Sequence, residues 1–168
     1  MRQFQRTKPP FTTDDKAMIE AFLDFHRATA LGKLDSLTDE AMRRPHVPSG
    51  LTPLGIVKHL GAVELSWFRI DFAGEDPAAI PGLGEFEDYW RIEPDETTAD
   101  VVAFYQGEVN RSRAITATAA LDDLARNPQP EDTGLTLRWI LLHMIQETAR
   151  HNGHLDLIRE AIDGRTGH

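Results

Sequence analysis

The chain has 168 residues, with 18 Lys+Arg against 27 Asp+Glu, giving a formal charge of −9. That sign argues against a general nucleic-acid binder, which needs a basic surface to displace counterions from phosphates. There is no cysteine, which excludes disulfides, thiolate zinc sites and a catalytic thiol of the protein's own.

The first segment, MRQFQRTKPPF, lacks the apolar stretch of a secretory signal, and no run of about 18 apolar residues is present to span a bilayer. The expectation is a soluble cytoplasmic protein with no membrane association, a polar arm over residues 1–12 and one domain over 13–164. Thr13, followed by Asp14 and Asp15, resembles a helix N-cap with acidic residues complementing the dipole. Ile19, Phe22, Leu23, His26, Ala30 and Leu34 then recur at helical spacing to about residue 34. Thr38 caps a short turn before Pro45 and Pro48 break the chain.

Thr52 and Pro53 announce the second long helix, because proline at the first helical position loses no hydrogen bond. Leu54, Val57, Leu60, Val63, Trp67 and Phe68 carry it to about Phe72, and Gly74 is its expected stop. Residues 75–96 form the longest irregular stretch, and a connection of this length in a small domain is usually functional or wraps the core. A third helix is expected from Thr97 or Thr98 to about Ala120, with Val101, Phe104, Val109, Ala114 and Ile115 facing inward. Residues 121–134 read as a loop. Thr136 caps the last helix, which ends before Gly164. Four long helices and no period-two alternation read as an all-α four-helix bundle.

Familiar cofactor motifs fail. PGLGEFE offers Gly82 and Gly84, but Glu87 stands where a dinucleotide loop has its third glycine, and no strand precedes it. There is no P-loop, His-Glu-x-x-His motif or nucleophile elbow. The histidines carry more information. In LLHMIQETARHNGH, residues 143, 147 and 151 step by four and 154 lies seven beyond 147, so His143, Glu147, His151 and His154 share a helix face. That face also carries Ile140, Met144, Leu155 and Ile158, and a buried carboxylate there needs partners. His59, flanked by Ile56, Leu60, Val63 and Trp67, can meet Glu147 and His151 if the second and fourth helices are neighbours. Two histidines and one carboxylate leave coordination positions open on a divalent metal. The structural alternatives are an inert hydrogen-bonded His59 and an intrahelical hydrogen bond between Glu147 and His151. His143 and His154 each read as a hydrogen-bond partner behind the ligands, a ligand to the same metal, or a polar residue at the rim. His26 reads as satisfied locally, and His46 and His168 as solvated.

VPSGLTPLGIVKHLGAVELSWF (residues 47–68) together with LRWILLHMIQETARHNGHLDLIREAIDG (residues 137–164) resembles the DinB-like superfamily of metal-binding bundles. The resemblance covers roughly residues 13–164. It implies an up-down-down-up bundle with a long crossover between helices 2 and 3, and a metal held by His59 and two residues four apart in the last helix. Many members carry H-x-x-x-H-x-x-G-Q there. This chain has Glu147, His151 and His154 instead, which resembles the zinc site of the mycothiol-dependent maleylpyruvate isomerase branch. The isomerase carries a further C-terminal domain that these residues do not contain, so its substrate is not carried over.

The resemblance implies a thiol S-transferase or isomerase that activates a low-molecular-weight thiol, such as mycothiol or bacillithiol, against a small electrophile. Zinc is the expected metal, with nickel, iron or manganese also accommodated by such a donor set. Trp67, Trp139 and Phe68 are the expected lining for an apolar electrophile. Asp156 and Arg159 are read as orienting His154 or a thiol's carboxylate, or as a surface ion pair. Members of this superfamily commonly pair, so a homodimer is expected. Hydrolysis by a metal-activated water and a non-catalytic metal-binding stress-response role are the alternatives.

Overall fold

A computed structural model describes residues 6–166, the side chains of 86 and 87 excepted. Four long helices dominate: α1 (Asp15–Gly32), α3 (Pro53–Glu64), α4 (Thr98–Ala117) and α5 (Leu137–Asp163), with a short α2 (Asp39–Arg43) after the first. Among the described residues there is no strand, only an isolated bridge between Leu124 and Thr136. The chain is all-α, as the periodicity predicts.

The helix ends follow the local chemistry. Thr38, Thr52 and Thr136 each accept a backbone N–H at the start of α2, α3 and α5. Thr97 and Asp100 form a reciprocal capping box at α4. The first cap is Asp14, whose carboxylate accepts from Ala17 N–H, rather than the expected Thr13. Gly164 adopts φ 75° at the end of α5, a left-handed cap that favours glycine. The second helix departs from expectation: its continuation, Leu65–Phe72, is wound as a π-helix, with Ala73 N–H donating to the Phe68 carbonyl five residues back. The wider winding places Phe68 in the core under the Arg27 guanidinium and sends Arg69 to Glu108 of α4.

Contacts along the helices fix their relative directions. Asp15 meets Arg138 at 3.9 Å, the His26 carbonyl accepts from Asn152 at 3.0 Å, and the Lys33 carbonyl accepts from Arg159 at 2.7 Å. α1 and α5 therefore run side by side in the same sense. α4 runs against α1, since Lys16 reaches the Thr116 carbonyl and Tyr105 the Arg27 carbonyl. α3 runs with α4, because Gly61 lies against Phe104 and Tyr105 while Arg69 meets Glu108.

The apolar core has two halves. One gathers Leu31, Leu54, Ile56, Leu60, Val101 and Leu155. The other gathers Leu23, Val63, Phe68, Leu137, Ile140 and Met144. Between them lies a buried polar waist that includes Arg27, His59, Glu64, Glu108, Thr148 and His151. Arg27 grips Glu64 with two hydrogen bonds, 2.7 and 2.6 Å. The inward face of α4 is thus more polar than expected: Tyr105, Glu108, Ser112 and Thr116 are buried while Ala114 is exposed.

Breaking a buried pair by removing one partner leaves the other charge uncompensated. Arg27→Met should destabilise the fold by about 3–5 kcal/mol, and the double variant Arg27→Met/Glu64→Leu should recover much of that loss. Urea unfolding of the three proteins tests this, the pair being the wrong explanation if the double variant is as unstable as the single.

Candidate metal centre

His59 stands two turns into α3, and the apolar spacing that buries this helix leaves the residue only 4 % exposed. Glu147 and His151, one turn apart on α5, project together because residues i and i+4 are neighbours on a helix surface. His151 Nε2–H donates to Glu147 Oε1 at 2.9 Å, and His59 Nε2–H reaches the same oxygen at 3.4 Å. The intrahelical bond that the sequence offers as an alternative to metal binding is therefore present, and it forms part of the cluster.

The three donor atoms lie within 4.8 Å of one another. Adjacent ligand atoms around a tetrahedral zinc with bonds near 2.05 Å are roughly 3.3 Å apart, which the 2.9 and 3.4 Å separations bracket. Two imidazoles and one carboxylate are also the donor chemistry of open catalytic sites. His59, Glu147 and His151 thus form a possible three-residue site that fits a divalent metal.

Electrostatics favour the metal-competent protonation states. Hydrogen bonds from His151 and His59 hold the Glu147 carboxyl well below the usual carboxylate range, against the desolvation that raises it. Burial lowers the His59 pKa; the Glu147 bond opposes this and the neighbouring His151 adds to it. His59 is therefore neutral at pH 7, as a ligand must be.

The other candidates are placed differently. His154 Nδ1 lies 3.4 Å from His151 Nδ1, directly behind a ligand candidate. Burial, with help from His151 and Arg150, lowers the His154 pKa, so its ring stays neutral beside His151. His143 is not in the donor cluster: it stacks on Trp139 at 5.0 Å and 8° and tilts against Trp67 at 4.8 Å. Trp67 and Trp139 are themselves 5.5 Å apart, and Trp139 is exposed. Phe68 is fully buried in the core and lines no mouth.

Arg159 is not a surface residue. It is buried, binding Asp163 and the carbonyls of Lys33 and Asp35, where it fastens the ends of α1 and α5. Asp156 pairs with Lys33. His26 is half-buried against Phe25. His46, expected in solvent, is half-buried with its Nε2 2.9 Å from the Ala41 carbonyl, because α2 folds over the loop that carries it. His168 lies outside the described residues.

Sequence reasoning missed Trp90, whose indole stacks on His59 at 3.7 Å and 15°. It sits in the crossover with no periodic pattern to place it, one aromatic beside Tyr89 in an irregular stretch. A cavity of about 580 Å³ lies on the other side of the crossover, against α4, with Lys58, Arg69, Tyr89, Phe104 and Arg111 in its walls. None of the three donors lines it, and donor geometry outweighs cavity size in locating metal chemistry.

His59→Ala, Glu147→Ala and His151→Ala should each lose stoichiometric metal by elemental analysis while far-ultraviolet circular dichroism stays helical. His154→Ala should weaken affinity by about 10–100-fold, the usual effect of losing a partner behind a ligand. Since the His59 pKa lies below the ordinary value near ~6.5, proton competition at this ligand should be negligible between about pH 7 and 8 and should set in below the ordinary imidazole range. Affinity already falling between neutrality and pH 8 as acid is added would contradict that ordering.

No curated protein matches the chain significantly. The family model described as Mycothiol-S-transferase matches residues 18–164, a span that includes α1 from its first turn, the crossover, and all three donors. The chain therefore belongs to the mycothiol-S-transferase family, a DinB-like family.

Proposed function

We propose that the protein is a metal-dependent thiol S-transferase that uses mycothiol, or a closely similar low-molecular-weight thiol, against a small electrophile. The observation that carries this reading is the convergence of His59, Glu147 and His151 in a chain of this family. The absence of cysteine supports it, because a protein without a thiol must import its nucleophilic sulfur.

A divalent metal at these residues supplies the charge that converts a coordinating thiol, with an ordinary pKa near ~8.5, to thiolate at neutral pH. Two neutral imidazoles and one carboxylate bring a single negative charge to that metal, so the site keeps a net attraction for one more anion. A set richer in carboxylates or thiolates would not. Zinc is the proposed ion; nickel, iron and manganese accept the same donors. Three protein donors leave room for the sulfur, whereas a closed structural site takes four.

Trp139, His143, Glu147 and His151 follow one ridge of α5, each four residues from the next. Trp139 is roughly 12 Å from Glu147 at the helical rise of 1.5 Å per residue. We place the electrophile's apolar body, or a ring of the thiol, against Trp139 and Trp67, with its reacting atom toward the donors. Trp90 stacks on the face of His59. The reading extends to a homodimer in the cytoplasm. No described helix is long and apolar enough to cross a membrane.

Addition of mycothiol to the cobalt-substituted protein should produce a thiolate-to-metal charge-transfer band and release protons, because the ligand enters as thiolate. The chain has no cysteine, so such a band arises from the added thiol. The apo protein and His59→Ala should show neither band nor conjugation. If mycothiol, bacillithiol and glutathione all leave the cobalt spectrum unchanged, the transferase reading fails.

A further inference from the structure

The crossover between α3 and α4 contains a 3-10 turn, Phe86–Trp90, which is pressed onto α3 at three points. A Cβ at Gly55 would lie 2.4 Å from the Trp90 carbonyl oxygen, so glycine lets the two backbones touch. Lys58 Nζ donates to the Arg91 carbonyl at 2.9 Å and to Glu96 Oε2 at 2.7 Å. His59 takes the Trp90 indole on its face, ring centroids 3.7 Å apart and planes 15° from parallel. Positions 55, 58 and 59 are spaced as i, i+3 and i+4, one face of the helix. The same indole lies 5.4 Å from the His151 ring.

The stacking geometry is informative. Two electron-rich rings prefer an offset or edge-on arrangement with centroids about 4.5–7 Å apart. A nearly eclipsed pair at 3.7 Å suits an electron-poor ring over the electron-rich indole face, for the reason that cations sit there. An imidazole that has donated its lone pair to a metal is such a ring.

We propose that Trp90 is a positioning residue of the metal centre: delivered by the crossover, it fixes the plane of His59 so that Nε2 faces Glu147, and it favours the metal-loaded state over the free one. It acts through His59 and touches no metal itself. The inference rests on the metal reading of the donor cluster.

Zinc titration of the wild type and of Trp90→Phe, Trp90→Leu and Gly55→Ala tests it, with circular dichroism reporting the fold. Trp90→Phe should stay within a few-fold of wild type, since it keeps a π face. Trp90→Leu keeps apolar bulk without that face and should lose affinity on the order of 10-fold or more. Gly55→Ala should reproduce the loss with Trp90 intact, by pushing the crossover away, although alanine is the better helix former. In the Trp67→Phe/Trp139→Phe background Trp90 is the remaining tryptophan of the three, and its emission should shift when zinc binds. If the wild type binds zinc and Trp90→Leu binds equally tightly, or Trp90 emission ignores the metal, the positioning role is overturned and the metal reading survives. If the wild type takes up no zinc or other divalent metal, both fall.

Discussion

The bundle depends on the pairing of charge at its waist. Ionisable groups between two apolar half-cores must find partners, because an isolated buried charge costs several kcal/mol or more. Each long helix contributes: Arg27 from α1, His59 and Glu64 from α3, Glu108 from α4, and from α5 the buried His151 with the half-buried Glu147. Glu64 is answered by the Arg27 guanidinium, and Glu108 by Arg69 and Arg111. Glu147 is answered by two imidazoles. A guanidinium is permanently charged and closes its pair, whereas imidazoles exchange their protons for a metal. The waist thus holds rigid ion pairs beside one exchangeable cluster, and the rigid pairs fix the helices that present it.

The crossover completes the arrangement from outside the helices. Residues 75–96 wrap α3 and bring an aromatic face to His59 through contacts at Gly55 and Lys58. Lys58 and His59 are adjacent in sequence but serve different sides: Lys58 borders the 580 Å³ cavity and His59 the donor cluster. The strap that carries Tyr89 and Trp90 is the wall between them.

How much of this was legible follows from the range of each signal. Thr52-Pro53, Thr136 and Gly164 mark helix ends through bonds within a few residues, so a sequence displays them. Glu147 and His151 were legible for the same reason, and His59 because a histidine on an apolar helix face must be answered by a neighbour. The Arg27–Glu64 and Arg69–Glu108 pairs span 37 and 39 residues. Nothing local distinguishes those charges from solvated ones, and Arg159 was misjudged on that ground. Trp90 depends on the path of an irregular segment, which has no period. His143 shows the limit of face-sharing: it follows the ridge of Glu147 and His151 but stacks on Trp139 one turn away, because the π-wound continuation of α3 presents Trp67 at that level, whereas α3 itself presents a donor at the other.

A glutamate rather than a second histidine one turn before His151 has a structural consequence. Two histidines at 147 and 151 would each offer one proton and one lone pair, and nothing would fix which nitrogen faces inward. Glu147 accepts from both Nε2 atoms, so both rings are already turned toward the position a metal would take. A divalent metal held by these residues would meet rings that need no side-chain search. Behind the His151 ring stands His154, its Nδ1 3.4 Å from His151 Nδ1 and its ring kept neutral, chiefly by burial. The carboxylate at 147 therefore orients the two rings from one side, and the histidine at 154 backs the second of them from the other, an outer contact that limits how far the His151 ring can turn.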